Sequence, residues 1–470
     1  MIFLLLLSLF LPIVTWFIII HLYVIRNRAF FYSLLKICLA LGLGFGSSSV
    51  IFFLWRSFIG PSVQGIIFGE TGVLLGLFFL MTRKREAIAY PDLQPPQVRK
   101  TADWSPQRLV PPVFLAILLV AFLGAIYRSL NGPHGPWDAW AVWNMHARFL
   151  FMGGDHSYGA FAPLLNNPDY PLLTPAFIAR CWSYYGTDTV AVPIIVALSF
   201  TFALVGLVVS AVAIFRGKIQ GCLAGLALLG TLPFLFLGLG QYADVPLGFF
   251  FFATIALVSL QEEPGVNKPG VFLLAGLAAG LGSWTKNEGI VFLAAIFLAR
   301  LVVGWLIGGW RRYFTEIRYF MIGLVPGLLT LGYFKLAFAP PNWLAGQTLA
   351  EAVTKLFIVS RYLYVAKELV LRVFLNRENY DVPIGIILTI YFFLMGAAIS
   401  EKNRPIILTG LIACGFMMFG YSIVIIINPL GFLTMLPALP RIALQIWPIL
   451  IFLYFLTVHS PEELALKNNI

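Results

Sequence analysis

The sequence predicts an all-α, polytopic membrane protein of about thirteen transmembrane helices, with amphipathic helices in a long first external loop. Three observations predict it. Of the 470 residues, 60% are hydrophobic and only 11% charged, whereas soluble chains carry roughly 25% charged residues. Apolar runs long enough to cross roughly 30 Å of hydrocarbon recur along the chain. Lysines and arginines gather in short polar stretches between alternate runs, the bias that orients helices across a membrane. That bias accounts for the net charge of +11, so no nucleic-acid partner is expected.

The runs begin near residues 2, 31, 64, 109, 189, 219, 242, 270, 289, 319, 382, 405 and 441. The first, from Met1 to about Val24, has no basic n-region and no small-residue cleavage site, so it reads as a retained helix. In the second run Gly42, Gly44 and Gly46 imitate a phosphate loop, but an apolar helix assigns them to close helix packing. Gly276 and Gly280 read the same way in the eighth run, "VFLLAGLAAGLGSW", the shortest. Residues 83–108 are polar, basic and Pro-containing, a cytoplasmic linker between three N-terminal helices (1–82) and a body spanning 109–458; 459–470 is a cytoplasmic tail. No sequence repeat relates the two halves. Cys38, Cys181, Cys222 and Cys414 are scattered without metal-ligand spacing, so neither disulfides nor a zinc site are expected.

An external N-terminus puts Arg26/Arg28, Arg83–Arg85 with Arg99, Lys100 and Arg108, Arg216/Lys218, Arg311/Arg312/Arg318 and Lys402/Arg404 in the cytoplasm. Short external loops then carry few cations, such as Arg56 and Lys286. Two long loops, residues 131–189 and 340–381, face outward. The second holds Lys355, Arg361, Lys367, Arg372 and Arg377, nearly balanced by Glu351, Glu368, Glu378 and Asp381; long loops escape the orientation rule. Its basic residues ask for an anionic partner.

The first long loop contains "GPWDAWAVWNMHARFL" (135–150). At about 100° per residue, Trp137, Trp140 and Trp143 form a stripe almost opposite Asp138, with His146 and Arg148 about 80° to either side of the acid. Tryptophan favours the membrane–water interface, so this helix should skim the bilayer and present Asp138 away from lipid. A purely structural role also suits Asp138, because Pro136 can open the helix and an acid in the first turn complements its dipole. Further along, "GGDHSYGAFAPLLNNPDYPLLTP" places Asp155, His156, Asp169 and Tyr170 between Gly and Pro turns. His134, His146 and His156, three of the five histidines, lie in this loop. A divalent metal held by Asp138 and His156 is the weak metal reading, because no tight ligand spacing is present.

The acid in "WDAW" and the later "NNPDYPLLTP" resemble the first external loop of the GT-C superfamily of integral-membrane glycosyltransferases, the group of protein mannosyltransferases, aminoarabinose transferases and Rgt-like sugar transferases. In order, "QYADVPLGFFFFATIAL" (241–257) resembles their acid-Pro span start, "AGLAAGLGSWTKNEGIVFLAA" (275–295) their Gly-rich helix and TK-x-x-G segment, and "LPRIALQIWPIL" (439–450) their late Arg-aliphatic-Pro segment. The likeness covers about residues 109–458. It departs in the three added N-terminal helices and in Asp138-Ala139, where protein mannosyltransferases have two acids.

The resemblance implies a GT-C-like core on the extracytoplasmic side of the plasma (inner) membrane. There it would move a sugar from a polyprenyl-phosphate donor to a lipid, glycan or protein acceptor. Such a reaction needs a base for the acceptor hydroxyl and cations for the departing phosphate. Asp138 matches the family's catalytic acid, with Asp169 a second candidate, read otherwise as a turn residue. Arg148 and Arg441 are expected to hold the phosphate through guanidinium forks, with Lys286, Arg361 and Lys367 as further cations. His146, Tyr170, Asp244 and Glu288 are acceptor-side or structural; Lys286 could be a local partner of Glu288, and Asp244 a helix-start acid. The rival readings are a transporter or lipid-linked sugar flippase without transferase activity, or a non-catalytic assembly subunit. Transport sites sit near the membrane midplane between repeated halves, whereas the ionisable residues here gather towards one face.

Overall fold

In the computed structural model the described residues are 2–60, 64–83, 106–153, 161, 166–341, 346–374, 384–429 and 431–468. Most of the 83–108 linker, Asp155, His156, Arg377, Glu378 and Asp381 therefore lie outside them. Among the described residues the chain is all-helical, with only two isolated β-bridges, Ile25 with Val266 and Ala397 with Val458.

The helices are α1 (Ile2–Ile19), α2 (Phe30–Phe58), α3 (Gln64–Arg83) and α4 (Val110–Asn131), followed by α5 (Asn144–Met152) and α6 (Leu173–Tyr185) in the first long loop. The body continues with α7 (Ala191–Arg216), α8 (Lys218–Leu229), α9 (Leu232–Leu239), α10 (Asp244–Ser259), α11 (Lys268–Thr285), α12 (Glu288–Val303) and α13 (Trp310–Ala337). After it come α14 (Leu349–Leu356), α15 (Val359–Leu369), α16 (Ile384–Met395), α17 (Arg404–Ile427), α18 (Leu439–Thr457) and α19 (Pro461–Asn468).

Among the described residues nine helices are long and apolar enough to cross a membrane, those built on α1, α2, α4, α7, α10, α12, α13, α17 and α18, and α8 with α9 would make a tenth as one bent span, against the thirteen expected. The four other expected spans form helices with identifiable departures. The α3 and α16 runs are short, and the run near 219 is split into α8 and α9 by a 69° bend, where Gly230 and Thr231 precede Pro233. Helix α11 is almost wholly buried, and it falls short because glycine and alanine replace larger apolar residues over much of its length.

Those small residues bring helices close. A Cβ on Gly276 would meet the Phe320 carbonyl oxygen at 1.9 Å, and one on Gly327 the Gly280 carbonyl carbon at 2.4 Å. Gly276 and Gly280 on α11 thus face Gly323 and Gly327 on α13, small residues four apart that let two backbones touch. Gly42 lies on the Phe249 ring, Gly44 on Pro12 and Gly46 on Leu281, which is helix packing as expected. Although the linker separates them in sequence, the N-terminal helices are packed into the body: Phe45 of α2 stacks on Phe177 of α6 at 4.1 Å. Arg180 of α6, fully buried, donates to the Ser8 carbonyl at 2.8 Å, to Glu70 of α3 and to Tyr184, tying α1, α3 and α6 together.

The connections between the long helices gather at two ends of the bundle. At one end Arg26 N–H donates to the Gly265 carbonyl at 2.8 Å, Lys402 pairs with Glu263 at 2.7 Å and Arg216 with Glu463 at 2.9 Å. Arg28, Lys218, Lys268 and Arg404 are on connections of this same end. The other end carries the described parts of the 131–189 loop, the α9–α10 and α11–α12 turns, and α14 and α15.

Candidate functional site

Four segments far apart in sequence meet at that second end. The guanidinium of Arg441, in the first turn of α18, forks between two acids. Its Nη1 is 2.8 Å from Asp138 Oδ2, and its Nη2 is 3.0 Å from Asp244 Oδ2. Asp244 opens α10, where a carboxylate complements the helix dipole. It also accepts from Lys286 Nζ at 3.0 Å and from Gln445 Nε2 at 2.8 Å, and Tyr421 hydroxyl donates to Gln445 Oε1 at 2.7 Å. Lys286 reaches Glu288 Oε1 at 3.0 Å as well. The result is a chain of alternating charge, Asp138–Arg441–Asp244–Lys286–Glu288.

The chain is graded in exposure. The side chains of Asp138 and Arg441 are 27% and 32% exposed, while Asp244 is 1% exposed beneath them. Asp244 is therefore a buried counter-ion of Arg441 and Lys286. Burial works against the charge of Lys286, but Asp244 and then Glu288 outweigh it and hold the ammonium above its ordinary range. The Arg441 guanidinium lies over the Tyr242 ring at 4.6 Å, which fixes its plane from below.

Local sequence explains the convergence. Gly135, at φ +69°, carries the chain within reach of the α9–α10 turn; a Cβ there would lie 2.7 Å from Ala139 Cβ and 3.0 Å from the Gly240 carbonyl oxygen. Gln241 donates to the Pro133 carbonyl at 2.9 Å and accepts from Asn144 at 2.8 Å, clamping the Asp138 segment onto the start of α10. Lys286 and Glu288 flank the α11–α12 break, where Asn287 points elsewhere: its Nδ2 donates to Asp169 Oδ2 at 2.9 Å. Lys335, at the end of α13, donates to the Asp169 carbonyl and lies 3.6 Å from its carboxylate. Asp169 is thus joined to the charged chain through the adjacent residues Lys286 and Asn287. Tyr170 is sandwiched, stacking on Trp143 at 5.6 Å with Lys286 Nζ at 6.0 Å from its ring, and burial pushes its phenol upward.

The tryptophan stripe is corrected by this geometry. Residues Ala139–Trp143 form a π-turn, whose i→i+5 bonding advances fewer degrees per residue than an α-helix. Trp137 and Trp140 remain exposed, but Trp143 is rotated inward and buried against Tyr170. The same loop buries His146, whose imidazole is pushed down to about 4 by burial, against the smaller opposing effects of the Val142 carbonyl and Asp169.

Of the sequence candidates, Asp138, Asp244, Lys286, Glu288 and Arg441 form the centre, with Asp169 and Tyr170 beside it. Arg148 is elsewhere, paired with Asp188 at 3.0 Å. Arg361 donates to the Ile426 carbonyl at 2.7 Å, and Lys367 lies over the Tyr364 ring at 6.0 Å; neither makes a contact with the Asp138 chain. Lys335, Asn287, Gln445 and Tyr242 were not singled out by sequence reasoning. Tyr242, Asn287 and Gln445 lie in the quoted segments 241–257, 275–295 and 439–450, whereas Lys335 lies in none of them. Among the described residues no three His, Cys, Asp or Glu side chains form a metal-binding group, and His156 lies outside them. Compared with protein-family models, the curated proteins and solved structures, the chain matches none.

Proposed function

We propose that this end of the bundle is the active centre of a membrane glycosyltransferase that uses a polyprenyl-phosphate-linked sugar and acts on the extracytoplasmic side of the plasma (inner) membrane. The observation that carries the reading is the Arg441 fork: one guanidinium holds an open carboxylate, Asp138, over a buried one, Asp244, using three segments separated in the chain. The GT-C resemblance of those same segments supports it. The basic residues at the opposite end of the bundle support the sidedness through the positive-inside bias.

Arg441 occupies Asp138 Oδ2, and among the described residues Oδ1 has no hydrogen-bond partner. That oxygen takes the proton of an acceptor hydroxyl as the hydroxyl oxygen bonds to the anomeric carbon. The bond from that carbon to the phosphate oxygen breaks, and its electron pair leaves with the lipid phosphate. Positive charge developing on the sugar ring falls beside the carboxylates. Asp138, Asp169, Asp244 and Glu288 stand against Arg441, Lys286 and Lys335, so an anionic donor needs cations whose charge faces outward. Arg441 and Lys335, 32% and 29% exposed, present that face to the phosphate. Lys286 instead holds Asp244 and with it the angle of Arg441.

The transporter reading draws on the broken α8–α9 pair, since transport sites use interrupted helices. The break at Gly230–Thr231, however, contains no ionisable residue, and its threonine accepts from the Trp447 indole at 2.9 Å. The two readings separate on one assay. Purified protein supplied with a mixed pool of polyprenyl-phosphate sugars and membrane-extract acceptors should release free lipid phosphate in step with glycosylated acceptor. Donor movement across proteoliposomes without any release would replace the enzyme by a carrier.

A further inference from the structure

The second long loop gives two short helices, α14 and α15, whose placement the proposed chemistry does not use. At about 1.5 Å per residue neither can cross roughly 30 Å of hydrocarbon. Both lie across the ends of spans: Lys355 reaches the Ile427 carbonyl at 3.5 Å, and Arg361 the Ile426 carbonyl at 2.7 Å. The inner face of α15, with Tyr362, Val365 and Leu369, packs on Ile425, Ile426 and Leu439 at the end of α17 and start of α18.

A second apolar stripe remains. Leu349, Val353 and Phe357 recur at four-residue spacing along α14 and its C-cap, Val359 and Leu363 follow on α15 and Val370 just after it, all exposed. Phe357 is 80% and Leu363 69% exposed, more than isolated surface apolar residues explain. Leu336 at the end of α13 and Leu433 before α18 are exposed as well. Residues 346–374 also carry Lys355, Arg361, Lys367 and Arg372 against only Glu351 and Glu368, and Lys367 borders the stripe at helical spacing. Its four-carbon stem can lie along apolar surface while the ammonium stays at headgroup depth.

We propose that α14 and α15 lie in the membrane interface, with this stripe in the acyl region and the lysines on the phosphates of anionic phospholipid in the leaflet nearest the Asp138 centre. The loop is then a lipid-bound belt beside the site rather than a water-exposed cap. This does not depend on the glycosyltransferase reading, because it concerns the bilayer's own lipids.

The four native cysteines are buried, so single cysteines can carry nitroxide labels in the full chain. Labels at Phe357→Cys and Leu363→Cys, in proteoliposomes of phosphatidylcholine and phosphatidylglycerol, should collide more with oxygen than with a water-soluble nickel chelate. A label at exposed Thr187→Cys should show the reverse. Nickel-dominated collisions at 357 and 363, or shielding from both agents, would overturn the proposal by placing the stripe in water or beneath protein. The charge component has its own readout. Phosphatidylglycerol retained by purified protein in preference to phosphatidylcholine should fall about fivefold for each of Lys355→Gln and Lys367→Gln. Equal retention by wild type and the double variant would overturn the anionic-lipid assignment.

Discussion

The two aspartates that share Arg441 should fail in different ways. Asp244 is the common partner of Arg441, Lys286 and Gln445 and is 1% exposed. Asp244→Asn leaves buried Lys286 with Glu288 alone and Arg441 with Asp138 alone; breaking a buried pair costs about 3–5 kcal/mol, so the change should appear as a large loss of thermal stability in detergent. Asp138, 27% exposed, forms a pair open to solvent, so Asp138→Asn should cost no more than about 1 kcal/mol of stability. Equal destabilisation by the two would remove the distinction between counter-ion and open base. His146 gives a pH test. Its neutral form is favoured in the fold, with the imidazole pushed from 6.5 down to about 4. The stability this reflects is complete above pH 6.5 and lost as pH falls towards 4, amounting to about 2 kcal/mol at pH 5. Melting of wild type at pH 7.5 and pH 5 should therefore differ more than that of His146→Gln. The sequence exposed Asp138, Asp244, Lys286 and Arg441 because each sits in a segment of distinctive local pattern. Asn287 and Gln445 lie inside the quoted segments 275–295 and 439–450 and Lys335 lies in none, but the bonds that tie each to the acids, Asp169 or Asp244, span more than a hundred residues, which no local spacing encodes.

At the scale of elements, each of the thirteen hydropathy runs holds a helix; among the described residues nine are long and apolar enough to cross a membrane, and α8 with α9 makes a tenth only as one bent span. The α11 run shows why others fall short. Glycine and alanine lower its apolarity, yet they are what allows α11 and α13 to touch, so helix burial and span hydropathy part company. Gly276→Val would drive a side chain into the Phe320 carbonyl, 1.9 Å from the ideal Cβ position. Overpacking of this kind costs about 1–3 kcal/mol, and the variant should melt earlier. Because α11 ends at Lys286, transfer activity should fall with it even though no charged group is changed. Unaltered stability would mean that the α11–α13 contact is looser than the backbone approach indicates. The π-turn at Ala139–Trp143 was equally hidden, since a helical wheel drawn at one angle cannot anticipate a local change of pitch.

At the scale of the whole molecule, the claim is two-ended: the Asp138–Arg441–Asp244–Lys286–Glu288 chain lies at one end of the bundle and basic turns such as those of Arg216 and Lys402 at the other. Thr187 and Ser400 are exposed at opposite ends, so Thr187→Cys and Ser400→Cys should label from opposite sides in intact cells, with 187 reached from outside. Labelling of both from one side would dissolve the arrangement, and labelling of 187 only from inside would move the proposed chemistry to the cytoplasm. The composition alone made the membrane class legible, and the basic turns made the two ends legible. The merging of the N-terminal helices with the body was not, because Phe45 meets Phe177 across a linker whose polarity marks a boundary in sequence but not in packing. The most direct test of the central claim is the rate of lipid-phosphate release by Asp138→Asn, measured beside its binding of the polyprenyl-phosphate donor. Loss of a general base predicts a rate lowered by about 10² to 10⁴-fold, with donor affinity and melting temperature near those of wild type. Release at the wild-type rate would contradict the account.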